Sequence, residues 1–263
     1  MEYILKTSAL IGLFYLCYKL FLQRDTFFKT NRWFLLLGLV ISFGFPLIVI
    51  PIYITKQITA QFIPFTSTQT GNSSIMVESI DWNQILLYIY ALGVIVLSLR
   101  FLIQICSLVM LLSRGKSIQK DGFVFIETQK AIAPFSFFNY IVYNPNNFDQ
   151  KELDQIINHE KIHAIQHHSI DILIGHIATI FSWFNPIIWF YRKDMEQNLE
   201  FIADNEVVSQ SECSKSYQYI LLKSSVPNYQ MALTNNFYNS LIKKRIVMLH
   251  KNRSKKPINL KPY

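Results

Sequence analysis

Three apolar runs constrain this chain more than any other feature of its 263 residues. Residues 3–22 are interrupted only by Lys6 and Lys19, residues 33–54 carry no charge, and residues 84–112 are broken once, by Arg100. Each reaches the roughly 20 residues needed to cross a hydrocarbon core, so the sequence predicts three transmembrane helices, at about 3–22, 33–54 and 84–112. Composition agrees. Only 16% of residues are charged, against about 25% in an ordinary soluble domain, and the mean hydropathy is +0.23. That excludes a disordered chain and argues against a water-soluble enzyme. The first run lacks a small-residue cleavage site and leads straight into the second, so it reads as an anchor rather than a signal peptide.

The loops set an orientation. Arg24, Lys29 and Arg32 lie between the first two runs, only Lys56 between the next two, and Arg114, Lys116 and Lys120 after the third. The positive-inside rule puts the N-terminus and the 55–83 loop outside, and everything after residue 113 in the cytoplasm. Thr66–Ser74 is polar and reads as a flexible external connection. Arg100, towards the cytoplasmic end of its run, is expected to snorkel to the interface. Cys17, Cys106 and Cys213 are odd in number and far apart, and read as reduced, buried small hydrophobes.

Past residue 113 the texture changes. Gly122–Glu127 and Ser136–Asn144 are rich in Phe, Ile, Val and Tyr and suit short strands. Asn144 to Asn147 is a turn. Asp149 with Glu152 three residues on then marks a helix start, with Leu153, Ile156 and Ile157 on one face.

That helix carries His159-Glu160-Lys161-Ile162-His163. Residues i and i+4 share a helix face, so both imidazoles can point at one metal, with Glu160 placed to activate a water there. A catalytic zinc needs a third protein ligand. On a straight helix His167 lies too far along, and no Gly-containing turn follows the motif, so His167, His168 and His176 read as helix-face or interfacial residues. The better third ligand is Glu200, in Asn198-Leu199-Glu200-Phe201-Ile202-Ala203-Asp204. Asp204, one turn further, is placed to support a ligand histidine by its other ring nitrogen. Between the two motifs lies another apolar run, 170–191, broken by Asn185-Pro186. A membrane crossing there would separate Glu200 from His159, so this run is expected to be a helical hairpin returning to the same side.

Taken together, the H-E-x-x-H helix, Gln166-His167-His168-Ser169-Ile170-Asp171, the Trp183-Phe184-Asn185-Pro186 break and the 198–204 segment resemble the BlaR/MecR-type membrane zinc metallopeptidases. Ala133-Pro134-Phe135-Ser136-Phe137-Phe138 and the basic Ser240–Arg245 stretch resemble that family too. The resemblance implies a mainly α membrane protein with a gluzincin-like cytoplasmic α+β zinc-protease domain and the hairpin packed at the membrane. The expected division is 1–112 for the spans, 113–212 for the metallopeptidase domain and 213–263 for a cytoplasmic C-terminal region. Mapped residue by residue, the family implies Zn2+ held by His159, His163 and Glu200, Glu160 as general base, and Asp204 in support. No penicillin-binding Ser-x-x-Lys signature has a domain behind it to use it, so only the protease core is carried over.

The expected function is a zinc metalloendopeptidase of the bacterial inner membrane, cutting a protein at the cytoplasmic face in signalling that relieves a transcriptional repressor. The alternatives are a quality-control protease and a non-catalytic signalling protein. Expected partners are the bilayer and a protein substrate, with room for self-association. The net charge of +8 first suggests nucleic acid, but residues 241–263 hold eight bases and no acid, and the rest of the chain balances at 17 of each. The excess therefore reads as a polybasic tail on an anionic leaflet, and no direct nucleic-acid binding is expected.

Overall fold

The structure is a computed structural model that describes residues 2–48, 81–130, 132–210, 214–225 and 235–251. Residues 55–80 of the expected outer loop and the last residues, 252–263, lie outside the described residues, as does Cys213.

Helix α1 (Glu2–Cys17) runs on as a π-helical turn, Tyr18–Leu22. Helix α2 (Phe28–Gly44) closes in a 3-10 turn, Phe45–Leu47, where Pro46 follows the last helical residues. It starts five residues before the apolar run, because Lys29 and Arg32 extend the helix on a polar turn. Helix α3 (Trp82–Arg114) is capped by the Asp81 side chain, which accepts from Asn83 N at 2.9 Å. These three helices are long and apolar enough to cross a membrane.

A four-stranded sheet follows, made of β1 (Lys116–Lys120), β2 (Phe123–Glu127), β3 (Phe135–Phe137) and β4 (Tyr140–Tyr143), in the order β1-β2-β4-β3. Asp121 and Gly122, both at positive φ (54° and 80°), make the tight β1–β2 turn. β2 runs parallel to β4, and β3 pairs antiparallel with β4 on the far edge. The strand-forming stretch expected over 136–144 is divided between β3 and β4, because Phe138 at φ 50° turns the chain back. Strand β1 carries no apolar alternation and is exposed along its whole length, which is why the sequence does not betray it.

Helix α4 (Gln150–Ile165) opens on the expected capping box, with Glu152 accepting from Asp149 N at 3.1 Å. Its apolar face, Leu153 and Ile156, is buried, and Leu153 packs with Phe125, Ile141 and Tyr143 of the sheet. Helix α5 (His168–Phe181) ends at a turn over Ser182–Asn185, and α6 (Pro186–Gln210) returns from it. This pair packs with the first two helices, around Ile11, Tyr18, Leu35, Leu39, Ala178, Ile188, Tyr191 and Met195. Close approach is built in at Gly93 of α3, where a Cβ would clash with the Trp183 indole. Helices α7 (Ser214–Ser225) and α8 (Asn235–His250) then fold back over α4 and α6.

Two partly buried ion pairs, each on a buried aspartate, fasten this bundle to its membrane-type helices. Arg32 of α2 donates from Nε and Nη2 to the two carboxylate oxygens of Asp171, at 2.9 and 2.6 Å, and from Nη2 to the carbonyl of Gln166 at 2.9 Å. Removing one partner of such a pair costs about 3–5 kcal/mol, because the other charge stays buried alone. Lys19, beyond α1, pairs with Asp194 of α6 at 2.6 Å. The cysteine expectation is corrected in part: Cys17 is half-buried, but Cys106 is exposed on α3, a helix with no buried residue.

Candidate metal centre

Helix α4 brings His159 and His163 to one face, and α6 crosses it so that Glu200 meets both. His159 Nε2 lies 3.0 Å from His163 Nε2 and 3.4 Å from Glu200 Oε2, and His163 Nε2 lies 3.6 Å from Glu200 Oε1. Three donors separated by 3.0–3.6 Å fit the corners of a tetrahedron with 2.0–2.1 Å metal bonds, whose edge is about 3.3 Å. Two neutral nitrogens and a carboxylate oxygen also form a donor set suited to zinc. The residues present therefore fit a divalent metal ion.

Glu160 lies beside these donors without joining them. It is buried, and its Oε2 accepts from Ser136 Oγ of strand β3 at 2.7 Å. The edge strand thus delivers a hydrogen-bond donor to the carboxylate, a contact the sequence did not announce.

The outward nitrogens of both histidines are engaged. Tyr217 of α7 lies 2.7 Å from His159 Nδ1 and donates to Asp204 Oδ1 at 2.7 Å. Since the tyrosine proton goes to the carboxylate, its oxygen accepts from His159 Nδ1–H, which leaves Nε2 with a free lone pair. Asp204 itself is 3.5 Å from His159 Nδ1, so its support reaches the ring through Tyr217. On the other histidine, His163 Nδ1 faces His168 Nδ1 at 2.7 Å. His168 is 1% exposed, so the expectation of a helix-face residue is corrected. The physical reason is His167, whose left-handed backbone (φ 53°, ψ 39°) ends α4 and turns α5 back towards it. His167 is exposed, and His176 stacks on Phe101 of α3 at 5.3 Å, both in keeping with the sequence reading.

Arg245 of α8 completes the group. Its Nη1 is 2.9 Å from Glu200 Oε2, while Nε and Nη2 donate to the two oxygens of Asp204 at 2.8 and 2.6 Å. One planar guanidinium therefore spans two carboxylates a helical turn apart. Arg245, one of the eight bases of residues 241–263, is instead partly buried in the site.

The electrostatics follow from these contacts. Burial pushes the Glu200 carboxyl up, but Arg245 and the two histidines outweigh it and hold it well below the usual carboxylate range. Burial also opposes charge on His159, yet the Glu200 hydrogen bond and the Glu200 and Asp204 charges leave its imidazole raised. His163 is lowered by burial, against the pull of Glu200. Burial and the neighbouring His163 push His168 down to about 3. Burial and the Asp204 charge push the Tyr217 phenol up. Glu200 and Asp204 thus share one fixed cation, Arg245.

Tyr217 and Arg245 lie 54 and 82 residues beyond His163, the end of the H-E-x-x-H motif, and no local spacing links them to it. Their helices form part of the site only through the tertiary fold.

No curated protein matches the chain. The model of the family described as BlaR1 peptidase M56 matches residues 133–249, from just before β3 to the end of α8. The match takes in all three converging donors together with Ser136, Glu160, Tyr217 and Arg245. Over residues 133–249 the chain is therefore similar to the BlaR1 peptidase M56 family.

Proposed function

We propose that this protein is a membrane-embedded zinc metalloendopeptidase that cleaves a protein at the cytoplasmic face, in transmembrane signalling that relieves a transcriptional repressor. The observation that carries the reading is the convergence of His159, His163 and Glu200 with Glu160 alongside but outside the donor set. A purely structural metal site has no use for that fourth group.

His159 Nε2, His163 Nε2 and Glu200 would hold the ion. Zinc, when bound, supplies a Lewis acid that polarises a scissile carbonyl and draws the pKa of water towards about 7. Glu160 accepts the proton of the attacking water and returns it to the leaving nitrogen. Ser136 fixes the rotamer of Glu160 by bonding Oε2, which leaves Oε1 for that proton. Strand β3 has β4 on one side and is the sheet's edge on the other, so an extended peptide can pair with it directly beside Glu160. Arg245 and Tyr217 hold Glu200 and His159 in place.

The signalling part of the reading is supported by the ties between membrane-type helices and the site. Arg32 of α2 grips the end of the H-E-x-x-H helix through the Gln166 carbonyl, and Lys19 grips α6 through Asp194, on the helix that carries Glu200. A shift of either span is transmitted to a metal-bearing helix through these contacts.

The test is a proteomic comparison of membranes bearing wild-type and Glu160→Gln protein. A short set of fragments lost in the variant, a repressor among them, is the expected result. Broad loss of membrane-protein turnover would instead indicate quality control, and identical proteomes would contradict a protease.

A further inference from the structure

We propose that His168 is the positioning residue for His163, fixing its tautomer so that Nε2 offers a lone pair to the metal. The proposal rests on the reading of this site as a metal centre. Two imidazole nitrogens 2.7 Å apart, His163 Nδ1 and His168 Nδ1, must share one proton. If His168 carried it, a neutral His163 would be protonated on Nε2, with an N–H aimed at His159 Nε2 and Glu200 Oε1, and no lone pair left for an ion. If His163 carries it, His168 is protonated on Nε2 instead, and that N–H meets Gln166 Oε1 at 3.3 Å. Gln166 therefore selects the useful arrangement: its amide oxygen accepts from His168 Nε2–H, so His168 Nδ1 accepts and His163 Nε2 is free.

The corner that presents His168 is held from three directions. His167 supplies the left-handed turn without a glycine. The backbone N–H of Phe138, next to edge strand β3, donates to Ser169 Oγ at 2.8 Å. Arg32 bonds both the Gln166 carbonyl and Asp171, one turn on from His168. With Tyr217 on His159 and His168 on His163, each proposed ligand ring is bonded on its far nitrogen, the arrangement that raises ligand basicity and fixes ring orientation.

The experiment measures zinc affinity of the full-length, detergent-purified protein by competition with a chelating indicator, and the visible spectrum of its Co2+ form. His168→Phe keeps a ring but removes the acceptor; it is expected to weaken zinc binding by about 10–100-fold and to change the cobalt bands. His168→Asn puts an amide oxygen where Nδ1 stood and is expected to restore most of the affinity, a rescue that a merely space-filling role would not give. Gln166→Leu, at a half-buried position, weakens zinc binding in the same direction without disturbing the core, and serves if the Phe variant does not fold. Wild-type affinity in His168→Phe or in Gln166→Leu overturns the proposal, as does an Asn variant no better than Phe. A wild-type protein that binds no zinc overturns the metal-centre reading itself, which is a separate outcome.

Discussion

Glu160→Gln is expected to lower peptide-bond cleavage by about 10²–10⁴-fold while the zinc content of the purified protein stays at the wild-type level. The substitution keeps the shape of the side chain, and its amide can still accept from Ser136 Oγ, which lies 2.7 Å from Oε2 in the native protein. What it loses is the capacity to take a proton from water. Because Glu160 is not one of the three converging donors, its loss should separate chemistry from metal binding. Metal content by mass spectrometry beside cleavage of a peptide substrate reads both. Undiminished cleavage in the variant would remove Glu160 from the mechanism.

Arg245→Met should do the reverse, damaging the site before the chemistry. The guanidinium is partly buried and balances Glu200 and Asp204 together. Its own charge is disfavoured by burial but held by those two acids, which push its pKa further up. Without it, Asp204 remains buried at 1% exposure with Tyr217 as its side-chain donor among the described residues, and such an orphaned charge costs about 3–5 kcal/mol. The expected result is a lower thermal midpoint in detergent and zinc affinity weakened by about 10–100-fold. Arg245→Lys should recover part of the stability and little of the affinity, because an ammonium is a point charge and does not span two carboxylates as the planar fork does. Wild-type melting and zinc binding in the Met variant would show the two ion pairs to be incidental.

Much of the architecture was legible because it is written in local pattern. The three long apolar helices follow from run length, and α4 from the Asp149–Glu152 cap and the apolar face behind it. Asn185-Pro186 marks the turn that lets α6 come back, and with it Glu200 and Asp204 at helical spacing. The rest depends on chain reversals that have no periodic signature. Strand β1 is polar and exposed on both faces, so alternation cannot reveal it. His168 looked remote because a straight helix would carry it away from His163, and a left-handed non-glycine residue is a rare way to turn a corner. Arg245 sat within a run of bases and was read by its charge, whereas its place is decided by α8 docking on α6 beside Phe28, Phe201 and Met248. Tyr217 belongs to a helix whose apolar face, with Leu221, packs on Ile162 and Ala203, and only that packing delivers its hydroxyl to His159.

This division has a physical basis. Ligands one helical turn apart on a single helix need only the helix, so a sequence can display them. The groups that set their protonation and charge come from other elements, since a helix cannot bond the outward face of its own side chains. Supporting residues are therefore expected at long sequence separation, as Tyr217 and Arg245 are, or just past a sharp corner, as His168 is.

The most direct measurement of the central claim is cleavage by the purified, membrane-reconstituted protein before and after removal of metal with a chelator, followed by readdition of zinc. The account predicts that cleavage disappears on chelation and returns with zinc, and that Glu200→Ala, lacking the third donor, neither retains zinc nor recovers. Cleavage that persists through chelation, or a Glu200→Ala protein that binds zinc and cleaves like wild type, would contradict it.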